Sequence, residues 1–206
     1  ESEFAPFEFK SLVNGKDTLV GADIELAKAI GKKLGVKVEF SVMSFDNVLA
    51  SVQSGKADIA IAGISVTDER KKVYDFSDSY YTSENVVIVK KDKVNDFTSA
   101  DSLAKQTVGT QKGSVQETIA KKQFSKARVV SLASNGEMIN ELKSGQIQAV
   151  VLEKAIAEGY IAQNDDLTLA SFNLKSDGSD AYAVAIRKGS DDLLKEINAV
   201  IKETKE

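Results

Sequence analysis

The stretch Ser51-Val52-Gln53-Ser54-Gly55-Lys56-Ala57-Asp58-Ile59-Ala60-Ile61-Ala62 has a counterpart at Glu141-Leu142-Lys143-Ser144-Gly145-Gln146-Ile147-Gln148-Ala149-Val150-Val151-Leu152, and together they decide the fold. In each, a helical run ends at Ser-Gly and feeds an apolar strand that stops at a candidate ligand group. Gly63-Ile64-Ser65 and then Arg70 follow the first; Glu153 follows the second directly. In open α/β sheets, ligands bind just past the carboxyl ends of strands. Two such units predict two lobes facing each other, one offering a cation and the other an anion. A zwitterion would fit between them.

Working outward, Val36, Val38, Phe40 and Val42 alternate with polar residues and predict a period-two strand. Before it, Asp23 is expected to cap a helix with the apolar stripe Ile24, Ala27, Ile30 and Leu34, closed by Gly35. After it, Asp46 starts a helix that ends at Gly55. The strand Ala57–Ala62 is nearly continuous in apolar residues, as a buried parallel strand should be. The β-α-β order then implies a parallel sheet with right-handed crossovers.

A polar stretch from Thr67 to Glu84 precedes a strand at Asn85–Val89, and Lys90-Lys91-Asp92-Lys93 is the expected exit from the first lobe. A second α/β set follows. Helices are expected near Asp101–Lys105, at Val115–Lys122, near Gly136–Lys143 and at Lys154–Ala162. Strands are expected at Thr107–Thr110, Val129–Leu132 and Ala149–Leu152. Past the turn-rich Asp177–Asp180, the strand Ala181–Arg187 returns to the first lobe, and a helix with Leu193, Leu194, Ile197, Val200 and Ile201 closes the chain. The expected lobes are residues 1–91 with 181–206, and residues 92–180. Two crossings restrict twisting and permit hinge closure.

The chain has 206 residues, 42% hydrophobic and 28% charged, ordinary for a soluble globular protein and enough for two small lobes. A net charge of −4 without a basic block argues against nucleic acid or an anionic membrane as partner. With neither cysteine nor histidine, thiol nucleophiles, disulfides, Ser-His-Asp triads and nearly all transition-metal sites are excluded. No cofactor is expected. No apolar run approaches the roughly 20 residues of a membrane helix, and no signal peptide is present, as expected for a mature or shortened form.

Six motifs in order carry a resemblance. They are Ala5-Pro6-Phe7-Glu8-Phe9, Gly21-Ala22-Asp23-Ile24-Glu25-Leu26-Ala27, Ser54-Gly55-Lys56-Ala57-Asp58, Ile64-Ser65-Val66-Thr67-Asp68-Glu69-Arg70, Phe76-Ser77-Asp78-Ser79-Tyr80-Tyr81 and Lys112-Gly113-Ser114-Val115-Gln116-Glu117. Over nearly its whole length the chain resembles the polar amino-acid-binding proteins of bacterial ABC importers, extracellular solute-binding protein family 3. The resemblance implies an α/β, two-lobed type II periplasmic-binding-protein fold with a ligand cleft between the lobes and a two-strand hinge. It implies an extracytoplasmic monomer, free or lipid-anchored, that closes on a free L-amino acid and delivers it to a membrane permease without catalysis. Relatives usually carry a strand before the position of Glu1 and a turn and helix after the last residue here. That difference is expected to mark a shortened or variant form and to bear on lobe stability more than on the site.

Carried onto this chain, the family pattern makes Arg70 the bidentate clamp on the ligand's α-carboxylate, a geometry lysine cannot supply; alone, an Arg in Asp-Glu-Arg-Lys-Lys would read as an exposed helix residue. Thr67 caps that short helix. Ser65 and the Gly63 backbone would complete the first-lobe contacts, with a plain turn as the alternative. Glu153 would take the α-ammonium, or serve as a helix N-terminal acid, or both. Ser114 and the Val115 N–H would add donors to the carboxylate; Ser114-x-x-Glu117 also reads as a capping box. Phe4 and Phe45 would sandwich the ligand side chain, the alternative being ordinary core positions. Glu1, with Glu3 nearby, and Gln111 bear on selectivity. An acidic mouth, aromatic walls and a neutral Gln favour arginine, then lysine or histidine, with glutamine as rival. A dehydratase or a receptor's sensor domain on the same fold are the competing readings.

Overall fold

The computed structural model describes residues 3–176 and 180–205. The strands β1 (Glu3–Phe4), β2 (Glu8–Val13) and β3 (Lys16–Val20) pair in that order as an antiparallel meander. Asn14 and Gly15, with φ of 52° and 76°, form the two-residue β2–β3 turn that Asn-Gly favours. Then come α1 (Ala22–Leu34), α2 (Phe45–Gln53), β4 (Ile59–Ala60), α3 (Asp68–Lys71), β5 (Tyr74–Phe76) and β6 (Tyr81–Thr82). The middle of the chain forms β7 (Asn85–Lys90), β8 (Thr107–Gln111), α4 (Val115–Gln123), β9 (Arg128–Leu132), α5 (Asn135–Ser144), β10 (Ala149–Glu153), α6 (Lys154–Gln163) and β11 (Leu167–Leu169). The end supplies β12 (Ala181–Tyr182), β13 (Ala185–Arg187) and α7 (Asp191–Lys205).

The chain divides into two units, Glu1–Thr82 with Gly178–Glu206, and Ser83–Asp177. In the first, β13 lies between β4 and β5, antiparallel to both. Successive residues of a strand point to opposite faces. Val184 and Ile186 accordingly join Leu26 and Ile30 of α1 and Ile197, Val200 and Ile201 of α7, while Ala185 joins Phe45, Val48 and Val52 of α2. Each fully buried aliphatic side chain contributes about 1.5–3 kcal/mol, so these two clusters carry the unit.

Several expectations change here. Val36–Val42 forms no ladder among the described residues, and Val36, Phe40 and Val42 are 58%, 40% and 48% exposed. Alternation makes a ribbon amphipathic but supplies no partner edge, and β4 pairs with β13 instead. As a result the first unit holds no parallel pair among its described residues. The expected strand Ala57–Ala62 shortens to β4, and Ala181–Arg187 splits into β12, paired with β6, and β13. Asp23 is not the cap of α1: Gly21 holds that position, and Asp23 is buried inside the first turn.

The second unit is the α/β layer anticipated, with strand order β11-β7-β10-β8-β9. Here β8 runs parallel to both β9 and β10, whereas β7 is antiparallel to β10. All five residues of β10 are buried. Val87 and Val89 of β7 pack with Val108 and Val151, which ties Asn85–Lys90 to this unit, although the sequence places that strand in the first lobe. Lys91–Lys93 is a 3-10 turn within the same unit, and the helix expected near Asp101 is a 3-10 turn over Asp101–Leu103. Of the turn-rich Asp177–Asp180, residues 177–179 lie outside those described.

Candidate functional site

In the first unit, the segment leaving β4 carries the polar groups. Thr67 accepts the Arg70 N–H at 3.2 Å and caps α3, as the sequence suggests. The cap sets the direction of Arg70, whose Nη1 donates to the Ser65 carbonyl at 2.7 Å. Its Cζ lies 6.0 Å from the centre of the buried Phe45 ring. Arg70, Ser65 and Phe45 are thus one cluster. Burial pulls the Arg70 pKa below its ordinary value, with Tyr74 and Glu69 acting in the opposite direction. A cation partly stripped of water in this way gains from an incoming anion.

Gly63 has φ of +57°, and a Cβ there would collide with the Phe4 ring and crowd Tyr182. Glycine therefore serves close aromatic packing at this position, where the sequence suggests close approach of a ligand. Phe4 belongs to that packing: its ring lies 5.5 Å from Phe7 and 6.4 Å from Tyr182. The Gly63 N–H donates to Asp23 Oδ2 at 3.1 Å. Asp23 is 1% exposed, and burial raises its pKa from 3.8 to about 6, opposed by the Tyr80 hydroxyl and the Gly63 N–H. Sequence reading took Asp23 only as a helix cap; the signal of its burial was an acid within an otherwise apolar helix stripe.

In the second unit, parallel β8 and β10 end at Gln111 and Glu153, so both lie at the carboxyl edge of the sheet. Glu153 is 1% exposed and caps α6, its Oε2 accepting the Ala155 and Ile156 N–H groups at 2.8 and 3.3 Å. Ser114 accepts the Glu117 N–H at 3.3 Å and donates to the Gln111 carbonyl at 2.6 Å, which starts α4 at Val115. The Glu117 carboxylate pairs with Lys121, and a complete capping box is found instead at Ser134 and Glu137. Gln111 Nε2 donates to the Ala133 carbonyl at 3.3 Å. Gln116 Nε2 donates to Asn85 Oδ1 at 2.7 Å, and Asn85 is the register partner of Glu153. That link joins the α4 N-terminus to the β7 position opposite Glu153. It was not legible beforehand, because Asn85 lies 68 residues from Glu153 along the chain.

Glu1 lies outside the described residues, and Glu3 is described only through the β1 backbone. Among the described residues, no helix is long and apolar enough to cross a membrane, and no group of three or more acidic, histidine or cysteine side chains could hold a metal.

The family model of bacterial extracellular solute-binding proteins, family 3, matches residues 1–206. The chain belongs to that family. This solute-binding protein is 35% identical to the arginine-binding extracellular protein ArtP of Bacillus subtilis, over 98% of this chain and 77% of that one. It superposes with a TM-score of 0.96 on the amino acid ABC transporter substrate-binding protein AbpA of Streptococcus pneumoniae bound to L-arginine, at 51% identity over 100% of this chain and 86% of the other. An ancestral arginine-binding protein bound to glutamine matches with a TM-score of 0.89 and 42% identity, over 100% of this chain and 89% of that one. The fold is that of the type II periplasmic-binding proteins, and the protein is a binder of solute rather than an enzyme.

Proposed function

We propose that this solute-binding protein captures arginine outside the cytoplasmic membrane and hands it to the permease of an ABC importer, with lysine and histidine as weaker ligands. The observation that carries the reading is that each unit holds one sequestered group of opposite charge. One unit holds the Arg70 guanidinium in α3; the other holds the buried Glu153 carboxylate at the end of β10. Arg70 would clamp the α-carboxylate and Glu153 the α-ammonium, with the Ser114 hydroxyl and the Val115 N–H as added donors. The arginine-bound and arginine-named relatives support this ligand.

Glutamine is the second reading. It is favoured by the relative bound to glutamine. Thermal unfolding against the twenty amino acids at millimolar concentration separates the two. A ligand at about a thousand times its Kd stabilises by about 4 kcal/mol, a rise of about 10 °C for a chain of this size. A shift with arginine above all others supports the proposal; a shift with glutamine alone replaces it.

A further inference from the structure

We propose that Asp23 is a positioning residue of the binding site, its carboxylate holding the Gly63–Ser65 turn in the geometry that presents Arg70 to the ligand. This rests on the reading of Arg70 as the carboxylate clamp. The turn is fixed from two directions. From the chain's end, the Ala183 N–H donates to the Ile64 carbonyl at 3.0 Å, the Val66 N–H donates to the Ala181 carbonyl at 3.0 Å, and Ser65 bridges Tyr182. From the other, Asp23 accepts the Gly63 N–H across 40 residues of sequence. The turn in turn supplies the Ser65 carbonyl that orients the Arg70 guanidinium.

Asp23 is itself placed by the start of α1, where the Ala22 and Asp23 N–H groups donate to the Pro6 and Phe7 carbonyls at 3.0 and 2.8 Å. A neutral side chain could accept one N–H as well, at no cost of burying a charge. A buried carboxylate makes the stronger, charge-assisted bond. Among the described residues, the groups facing it are few. The Tyr80 hydroxyl, between β5 and β6, favours its charged form; Glu8 of β2 acts on Tyr80; and Glu25, on the same helix, is paired at the surface with Lys28.

Protonation of Asp23 weakens the hold on Gly63, so ligand affinity falls as pH drops through its midpoint near 6. Stability moves the other way, because the neutral acid is the form that burial prefers. Opposed trends in affinity and stability are not produced by a merely structural carboxylate.

The test has two readouts on the intact chain, in wild type, Asp23→Asn and Tyr80→Phe. The first is the Gly63 amide resonance of the ligand-free protein between pH 4.5 and 8. The second is arginine affinity by calorimetry over the same range. The resonance should titrate in wild type, titrate at higher pH in Tyr80→Phe, and stay flat in Asp23→Asn. Affinity should fall about fivefold to tenfold on acidification in wild type and be low and flat in Asp23→Asn. A Gly63 resonance that does not titrate overturns the hold of Asp23 on the turn, whatever the ligand. A titrating resonance with equal arginine affinity in wild type and Asp23→Asn overturns the positioning role. Absence of arginine binding at neutral pH, with another amino acid bound, overturns the arginine reading alone; the same comparison with that amino acid then decides for or against Asp23.

Discussion

Replacing Arg70 by alanine should separate binding from folding. Two parallel charge-assisted hydrogen bonds to a carboxylate are worth about 1.5–3 kcal/mol each, so the loss is about 3–6 kcal/mol, or about 10²–10⁴-fold in Kd. The fold loses far less. Arg70 donates to the Ser65 carbonyl at 2.7 Å, a charge-assisted bond worth about 1.5 kcal/mol. Its contact with Phe45, at 6.0 Å, sits at the outer limit for a cation–π interaction and adds about 0.5 kcal/mol. Against these stands the relief of a guanidinium whose pKa is already lowered by burial. A net change near 1 kcal/mol shifts the melting temperature of the ligand-free protein by about 2–4 °C. Calorimetric titration with arginine and thermal unfolding, run on the same preparation, check both numbers. An Arg70→Ala protein that holds arginine within about tenfold of wild type refutes the clamp. A collapse of the ligand-free fold refutes the accounting.

Glu153→Gln keeps an oxygen to accept the Ala155 and Ile156 N–H groups and removes the charge, so affinity should fall at least about tenfold with a smaller loss of stability. Glu153→Ala also forfeits the cap, at about 2 kcal/mol, and urea unfolding of the two variants should show that difference. Gly63→Ala drives a methyl group into the Phe4 ring at a positive φ, costing about 2–4 kcal/mol by overpacking and strain; a urea midpoint unchanged from wild type would contradict it. For Asp23, the folded state retains its proton up to about pH 6, whereas the unfolded chain releases it near 3.8. Its contribution to stability is therefore greatest below about pH 4 and declines by about 3 kcal/mol as pH rises through 6. The urea-derived stability difference between wild type and Asp23→Asn, at pH 4.5 and at 7.5, should change in that direction.

The legible parts of this protein rest on short-range signals. The helices α4, α5, α6 and α7, the Gly35 and Gly145 helix ends, the Thr67 and Ser114 caps and the buried strand β10 depend on periodicity and on residues within one turn of one another. The same local grammar put Glu153 just past an apolar strand, whereas Arg70, by itself an ordinary exposed helix residue, was named through the resemblance carried by the motif around it. The Asn14-Gly15 turn was equally local and went unread. Tertiary structure decided what depends on partners far away in sequence. Val36–Val42 has the pattern of a strand, but a ladder needs a second edge, and β4 gives its own to β13 about 125 residues later. Gly63 could be named from the resemblance and Asp23 read only as a helix cap; the packing of Phe4 and Tyr182 on Gly63, and its hydrogen bond to Asp23 across 40 residues, were decided by tertiary structure. Patterning within a segment determines what the segment is, whereas pairing and burial between segments determine what it touches.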